Sequence, residues 1–425
     1  MSDLSDNLWC RHNFHGVDHN HRPHMTSQAA SQAMKNLCAQ HGGQLRLGHF
    51  RLLRLLGSGD IGKVFLCEIS KSLKAHSNCY YAMKVVDRKS LALKKKLKRA
   101  EMEEQVLSVI DHPFLPTLHA KFEAHQYTCF VMDYCPGGDL FTLQQNQPDL
   151  RFTVSTARFF AAEVLVALEY LHMMGIVYRD LKPENVLIQE DGHIMLTDFD
   201  LSLHLEVHPT LLKQVSSNRI MKKKKNKPML CCRESYDYEH AATTRRSRKK
   251  ASIIGGDVHG QEIEVSAEPV NGRSHSFVGT HEYLAPEVIL GLGHGSAVDW
   301  WAFGVFLYEL LYGYTPFKDA SSNDKTMNNI LRKRLSFPRS GTKTHSEAED
   351  LIGKLLIKNP KRRMGYNTGS CEIKKHEFFQ GINWALIRST KPPLLPGNPH
   401  QQKRNSLDMP KPSFKNKPAG RIPFF

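Results

Sequence analysis

The chain of 425 residues carries 58 Lys and Arg against 42 Asp and Glu, a formal charge of +16 at pH 7. Its polar start lacks the apolar core of a signal peptide, and the longest apolar run, Trp300 to Tyr314, is interrupted by Glu309, too short for a bilayer and suited to a buried core helix. Nine cysteines, single or adjacent at Cys231-Cys232, show neither a zinc spacing nor a disulfide framework, which predicts a reducing cytosolic or nuclear setting.

Residues 1–47 are rich in Asn, His, Ser and Gln with few periodic apolar positions, and read as a largely disordered leader. His12, His15, His19, His21 and His24 crowd one part of it. Such tracts bind transition metals weakly, but without an ordered scaffold the polar leader is the better reading. Residues 55–64 then run Leu55-Leu56-Gly57-Ser58-Gly59-Asp60-Ile61-Gly62-Lys63-Val64 between two strand-like alternations. Alone this pattern is better read as a hairpin turn, yet its glycines also let backbone amides approach phosphates.

Lys84 follows Gly62 by twenty-two residues, on the strand pattern Tyr81-Ala82-Met83-Lys84-Val85-Val86. In that order a snorkelling surface lysine gives way to a ligand of α- and β-phosphates. In the basic helical stretch beyond it Glu103 is the expected ion-pair partner, with Glu104 as a solvated neighbour and fallback.

Tyr178-Arg179-Asp180-Leu181-Lys182-Pro183-Glu184-Asn185 is the most specific block, followed eighteen residues after Asp180 by Asp198-Phe199-Asp200. Phosphoryl transfer needs a positioned nucleophile and neutralised charge more than covalent help from the protein. Asp180 can accept a hydroxyl proton, Lys182 can reach the γ-phosphate, and Asn185 and Asp198 offer hard oxygens suited to magnesium.

A strongly basic insert, residues 205–272, comes next. Over 213–250 it holds thirteen Lys or Arg against three acidic residues, concentrated at Lys222 to Lys227 and Arg245 to Lys250. A solvated loop is one reading. A polybasic element near an anionic leaflet, gaining roughly 1 kcal/mol per basic residue, is a second, and nuclear import a third. Ser252, after Arg248-Lys249-Lys250-Ala251, is placed for a phosphate that would weaken lipid attraction. Residues 391–425, rich in Pro, Lys and Asn, read as an extended tail ending Arg421-Ile422-Pro423-Phe424-Phe425.

In their order Gly57 to Val64, Lys84, Glu103, Asp180 to Asn185, Asp198 and Ala285-Pro286-Glu287 resemble the eukaryotic protein kinases over about residues 50–380. Tyr178 before Arg-Asp, and Phe277-Val278-Gly279-Thr280 leading into Ala-Pro-Glu, resemble the AGC serine/threonine group. Asp200 in place of glycine and the long insert narrow the likeness to the plant-specific AGC subfamily of phototropins, PINOID and their relatives. With no light-sensing domain expected, the PINOID-like kinases are the match.

The resemblance implies an α+β, two-lobed fold, with a small lobe of five antiparallel strands and one helix (50–135, including the hinge) and a mainly helical large lobe (136–380). A tail from 381 to 425 follows. It implies ATP and Mg²⁺ as cofactors, the nucleotide lying under Leu56 to Val64 near Ala82, Met132, Asp133, Cys135 and Leu187. It further implies an activation phosphosite at Ser276, with Ser274 as alternative, pairing with Arg179. Thr280 should sit beside Asp180 and Lys182, Glu287 should pair with Arg363, and Asp299 should hold the catalytic loop from below. Asp139, Glu184 and Glu309 match acids that favour substrates with basic residues before Ser or Thr, each with a structural alternative.

Ile61 replaces an aromatic residue at the glycine-loop tip, which predicts a less ordered lid. Asp200 stands where glycine is favoured for backbone freedom, a demand that Asp tolerates. The expected partners are protein substrates, anionic phospholipids through residues 213–250 and an upstream phosphoinositide-dependent kinase through Ile422 to Phe425, with no nucleic acid. The expected location is the cytoplasm and the cytosolic face of the plasma membrane, the nucleus being the competing address. Function in auxin-related growth signalling follows by the same resemblance. The rival readings are a small-molecule phosphotransferase, disfavoured by the activation segment, and a non-catalytic membrane-associated scaffold of kinase fold, disfavoured by intact Lys84, Asp180, Asn185 and Asp198.

Overall fold

The computed structural model describes residues 28–70, 79–207, 210–213, 263–266, 268–269, 274–338 and 343–395. They fall into two units, one within 1–209 and 266–425 and the other within 210–265. The histidine cluster, the basic kernels, Ser252 and the terminal phenylalanines lie outside the described residues.

The larger unit begins with α1 (Ala29–Gln40), followed by strands β1 (Phe50–Ser58), β2 (Lys63–Ile69) and β3 (Tyr80–Asp87). Helices α2 (Arg88–Leu93) and α3 (Leu97–Val109) precede β4 (Leu118–Ala124) and β5 (Tyr127–Asp133). The strands form one sheet in the order β1-β2-β3-β5-β4 with every pairing antiparallel. On β3 the register sets Lys84 opposite Val64 of β2 and Phe130 of β5, so the lysine sits mid-sheet.

α1 corrects the expectation of a disordered leader through residue 47, and the described residues of 50–135 hold two helices, α2 and α3, rather than one. Ala30, Ala33, Met34, Leu37 and Cys38 form an i, i+3, i+4, i+7, i+8 stripe. Met34 and Leu37 are buried in a cluster with Phe50, Cys67, Tyr81, Phe122 and Cys129 on one face of the sheet. The Tyr81 hydroxyl donates to the Ala30 carbonyl at 2.8 Å and fixes the helix start.

The large lobe holds α4 (Leu140–Gln145), α5 (Val154–Met173), α6 (Pro286–Ile289), α7 (Ala297–Tyr312), α8 (Asn323–Arg332), α9 (Lys343–Leu355) and α10 (Ser370–Lys374). Short two-stranded sheets flank the motifs: β6 (Ile176–Val177) pairs with β9 (Leu203–His204), and β7 (Val186–Ile188) with β8 (Ile194–Leu196). The apolar run around Trp300 forms α7, buried on nearly every face and ended by Gly313 at φ +81°. That is the helix expected of a sequence hydrophobic all round. Among the described residues no helix is long and apolar enough to cross a membrane. In the smaller unit β10 (Thr210–Lys213) pairs with β11 (Ile263–Ser266).

Candidate active site

A cleft of about 510 Å³ runs from the glycine loop to the Asp-Phe-Asp segment. Leu56 to Gly62, Val64, Ala82, Lys84, Glu103, Met132, Asp133, Cys135 and Leu187 all line it, as the sequence predicts. Lys63 does not. It is exposed on β2, where strand alternation turns it away from the face that Val64 presents to the cleft. Sequence reasoning missed Arg54, Leu107, Pro116 and Thr197, which also line the cleft. Two of these were readable, since Leu107 lies one helical turn beyond Glu103 and Thr197 directly precedes Asp198.

The glycine loop is closed on itself by Gly59 N–H donating to the Gly62 carbonyl at 2.9 Å. A Cβ on Gly62 would stand 2.8 Å from the Val85 carbonyl oxygen, so this turn admits no side chain there. Ile61 is 3% exposed and joins the main core. The less ordered lid expected from the missing aromatic is therefore replaced by an anchored tip. Asp60 adds a second anchor through ion pairs to Lys96 at 2.6 Å and Arg99 at 2.8 Å.

Lys84 donates to Glu103 at 2.5 Å and to Asp198 at 3.2 Å. Burial alone would lower its pKa, but the charges of Glu103 and Asp198 outweigh that and hold the ammonium above its ordinary range. Glu104 pairs instead with Lys121. Asp200 is nearly buried, 3.6 Å from Arg99. Its pKa is pushed up to about 7, first by burial and then by the charge of Asp198. Asp200 is absent from the positive-φ positions, which include Asp198 at +64° and Arg179 at +66°. The left-handed demand expected at Asp200 thus falls on the metal-ligand candidate two residues earlier.

Asp180 does not itself line the cleft but is tied to it through Asn185, which does. Its Oδ2 accepts from Lys182 Nζ at 2.7 Å and from Asn185 Nδ2 at 2.8 Å, and its Oδ1 accepts a longer bond of 3.3 Å from Thr280. Lys182 also donates to Thr280 at 3.1 Å. The loop is held from below by Asp299, which accepts the backbone N–H of Tyr178 and of Arg179, each at 2.8 Å. Glu287 and Arg363 form a buried bidentate pair at 2.6 and 2.9 Å. Arg179 Nη1 reaches the hydroxyls of both Ser276 (2.7 Å) and Ser274 (3.1 Å). Its pKa falls to about 10, chiefly through burial, with Asp299 opposing and Arg99 reinforcing the shift.

The three candidate acids differ. Glu184 is exposed beside the cleft. Glu309 accepts a hydrogen bond from the Tyr283 hydroxyl. Its pKa is pushed up to about 7 by burial, with the Tyr283 bond opposing and the charges of Glu184 and Glu282 adding to the rise. Asp139 is the N-cap of α4, and both its carboxylate oxygens are engaged by Thr142.

A family model described as the protein kinase domain matches residues 50–221 and 262–379. The chain belongs to the protein kinase family. It is 50% identical over 428 residues to Protein kinase PINOID 2 of Arabidopsis thaliana, covering 88% of this chain and 81% of that one. It is 48% identical to Protein kinase PINOID 2 of Oryza sativa subsp. japonica, covering 92% and 86%. Serine/threonine-protein kinase AGC1-7 of Arabidopsis thaliana is 50% identical, with 88% and 68% covered. The chain is accordingly a serine/threonine-protein kinase of plant AGC type.

A protein kinase uses ATP and a divalent metal, and the residues present fit both. The cleft has the size of a nucleotide site. Asn185 spends its amide nitrogen on the Asp180 carbonyl and carboxylate, which leaves its amide oxygen as a donor alongside Asp198. Among the described residues no group of three or more His, Cys, Asp or Glu could hold a metal alone. Two protein oxygens completed by phosphate oxygens and water is the arrangement that magnesium favours.

Proposed function

We propose that the protein transfers the γ-phosphoryl group of Mg²⁺-bound ATP to serine or threonine hydroxyls that follow basic residues. Bound Mg²⁺-ATP supplies the phosphoryl group, and Asn185 and Asp198 are the residues to hold the metal. Lys84 neutralises the α- and β-phosphates, its ammonium kept charged by Glu103. Asp180 takes the hydroxyl proton at Oδ1, the oxygen with the weaker protein contact, while Lys182 and Asn185 fix Oδ2. Thr280 orients the acceptor hydroxyl, and a phosphate on Ser276 or Ser274 would exchange their hydroxyl contacts with Arg179 for stronger charge-assisted ones.

The basic preference rests on a grouping of acids: Glu184 is exposed on the lining of the cleft, and the partly buried Glu309, held by the Tyr283 hydroxyl, lies close enough to feel the charges of Glu184 and Glu282. A cationic side chain docked there relieves that repulsion. Asp139 contributes less, because its carboxylate already caps α4. The test is a peptide series with Arg or Ala before the acceptor. The wild type should prefer Arg by at least about tenfold in kcat/KM, and Glu309→Gln should remove most of that preference. Glu309 carries its charge only above about pH 7, so the wild-type preference should decline from pH 8 to pH 6 and stay flat in Glu309→Gln. An equal Arg preference in both proteins at all pH values would refute this reading.

The likeness to PINOID-named kinases further supports auxin-related growth signalling, with auxin-efflux carriers among the substrates. Location at the cytosolic face of the plasma membrane is supported by the polybasic segment 213–250, whose residues would meet anionic phospholipids. Ile422 to Phe425 would recruit an upstream phosphoinositide-dependent kinase.

A further inference from the structure

His172, near the end of α5, is completely buried between two carboxylates. Its Nδ1 lies 3.0 Å from Glu268 Oε2 and its Nε2 lies 2.8 Å from Asp299 Oδ2. A neutral imidazole donates from only one nitrogen, so satisfying both carboxylates requires a proton on each. Burial opposes that charge, but Glu268 and then Asp299 outweigh it and push the pKa up to about 10. The Trp300 ring stands edge-on to it at 4.7 Å and carries no charge.

The two carboxylates have different duties. Asp299 Oδ2 also receives the Tyr178 N–H, and its Oδ1 the Arg179 N–H, so the rotation of this carboxylate decides where the backbone before Asp180 lies. Glu268 lies two residues past β11, near the end of the basic insert, and it enters a built socket. Its carboxyl fills the space beside Gly369, where an added Cβ would stand 1.8 Å from Oε1. The next residue, Pro269, accepts the Ser296 N–H at 3.2 Å, just before α7.

The geometry points to Glu268 as a positioning residue for phosphoryl transfer, holding the Tyr178-Arg179 backbone, and with it Asp180, through His172 and Asp299. Glu268 touches neither nucleotide nor acceptor. It acts by keeping His172 oriented and doubly protonated, so that Asp299 is held from one side while it receives the loop amides on the other. The exit of the insert is thereby moored to the catalytic loop, and a pull on that segment is felt at the base. The inference rests on Asp180 acting as the base, which Asp180→Asn tests separately: a fully active Asp180→Asn enzyme would remove that reading whatever Glu268 does.

The experiment compares the full-length wild type with Glu268→Ala, Glu268→Gln and Gly369→Ala. Steady-state kinetics with a serine peptide are read from pH 6 to 9, together with the imidazole ¹⁵N shifts of His172. Glu268→Ala should lower kcat by at least about tenfold while KM for ATP stays within about twofold, because the nucleotide is held by other residues. With the Glu268 charge gone, His172 should lose its proton within the assay range in Glu268→Ala, adding a fall in kcat at high pH that the wild type lacks. Glu268→Gln keeps an oxygen for Nδ1–H and should recover most of kcat. Gly369→Ala, which displaces Glu268 without altering its chemistry, should reproduce the kcat loss and serves if Glu268→Ala does not fold. Wild-type kcat in both Glu268→Ala and Gly369→Ala would overturn the proposal. So would equal losses in kcat and in affinity for ATP with His172 still protonated, the pattern of a purely structural residue.

Discussion

Glu103 and Glu104 are adjacent on α3, yet a helix turns about 100° per residue and sends them to different partners. Glu103 enters the core to meet Lys84, whereas Glu104 stays partly exposed with Lys121. Removing the partner of a buried charge costs far more than breaking a surface pair. Glu103→Gln should therefore lower kcat/KM for ATP by about 10- to 100-fold and Glu104→Gln by less than about twofold, measured side by side at saturating peptide. Asp200 offers a contrast at the same scale. Its backbone does not require glycine, and its carboxylate faces Arg99 rather than a motif residue that transfers protons. Asp200→Gly should leave kcat within about an order of magnitude of wild type. A larger loss would assign this carboxylate a direct part in metal binding or in a switch.

The catalytic pairs were legible in the sequence because chemistry fixes both residue type and spacing. Asp180 to Asn185 is a contiguous loop, and Lys84 and Asp198 each sit on a short apolar strand or its end. Lys63 departs from the motif's expectation because a contiguous motif on a strand is not a contiguous surface: alternate residues face the cleft. The capping role of Asp139 and the Asp60 clamp depend on where side chains point after folding, which spacing does not carry. Glu268 left no signal either, since its partners His172, Asp299 and Gly369 come from distant parts of the chain.

At the scale of elements, α1 shows how composition can hide periodicity. Its apolar stripe is a regular helical one, but it follows a His- and Asn-rich segment that dominates any average over residues 1–47. The stripe matters because it covers a sheet face that would otherwise present Phe50, Tyr81 and Phe122 to water. Met34→Ala and Leu37→Ala should each destabilise the protein by about 2–5 kcal/mol, read as a lower unfolding midpoint. The kinetic constants at 20 °C should change little, since neither residue lines the cleft. A midpoint unchanged in both would mean that the sheet does not depend on this cover.

For the whole molecule, the proposed reading gives catalysis to the kinase core and an address to the insert. The family match breaks between 221 and 262, which encloses both basic kernels and Ser252. The motif residues of phosphoryl transfer all lie outside that stretch, whereas the proposed address needs its charge. Neutralising Lys222 to Lys225 together with Arg245 to Lys250 should release a fluorescent fusion from membranes in cells and leave peptide phosphorylation in vitro unchanged. An unaltered location would reject both the lipid and the nuclear-import uses of these residues. The mooring of Glu268 to the catalytic loop would then be the insert's remaining tie to function.

The central claim is that Asp180, fixed by Lys182, Asn185 and Thr280, serves as base for transfer to a hydroxyl. It is tested most directly by single-turnover transfer from Mg²⁺-ATP to a serine peptide with arginines before the acceptor, comparing wild type with Asp180→Asn. The account predicts transfer in the wild type and a rate lower by about 10²–10⁴-fold in the variant, at unchanged nucleotide affinity. Equal rates in the two proteins would contradict it.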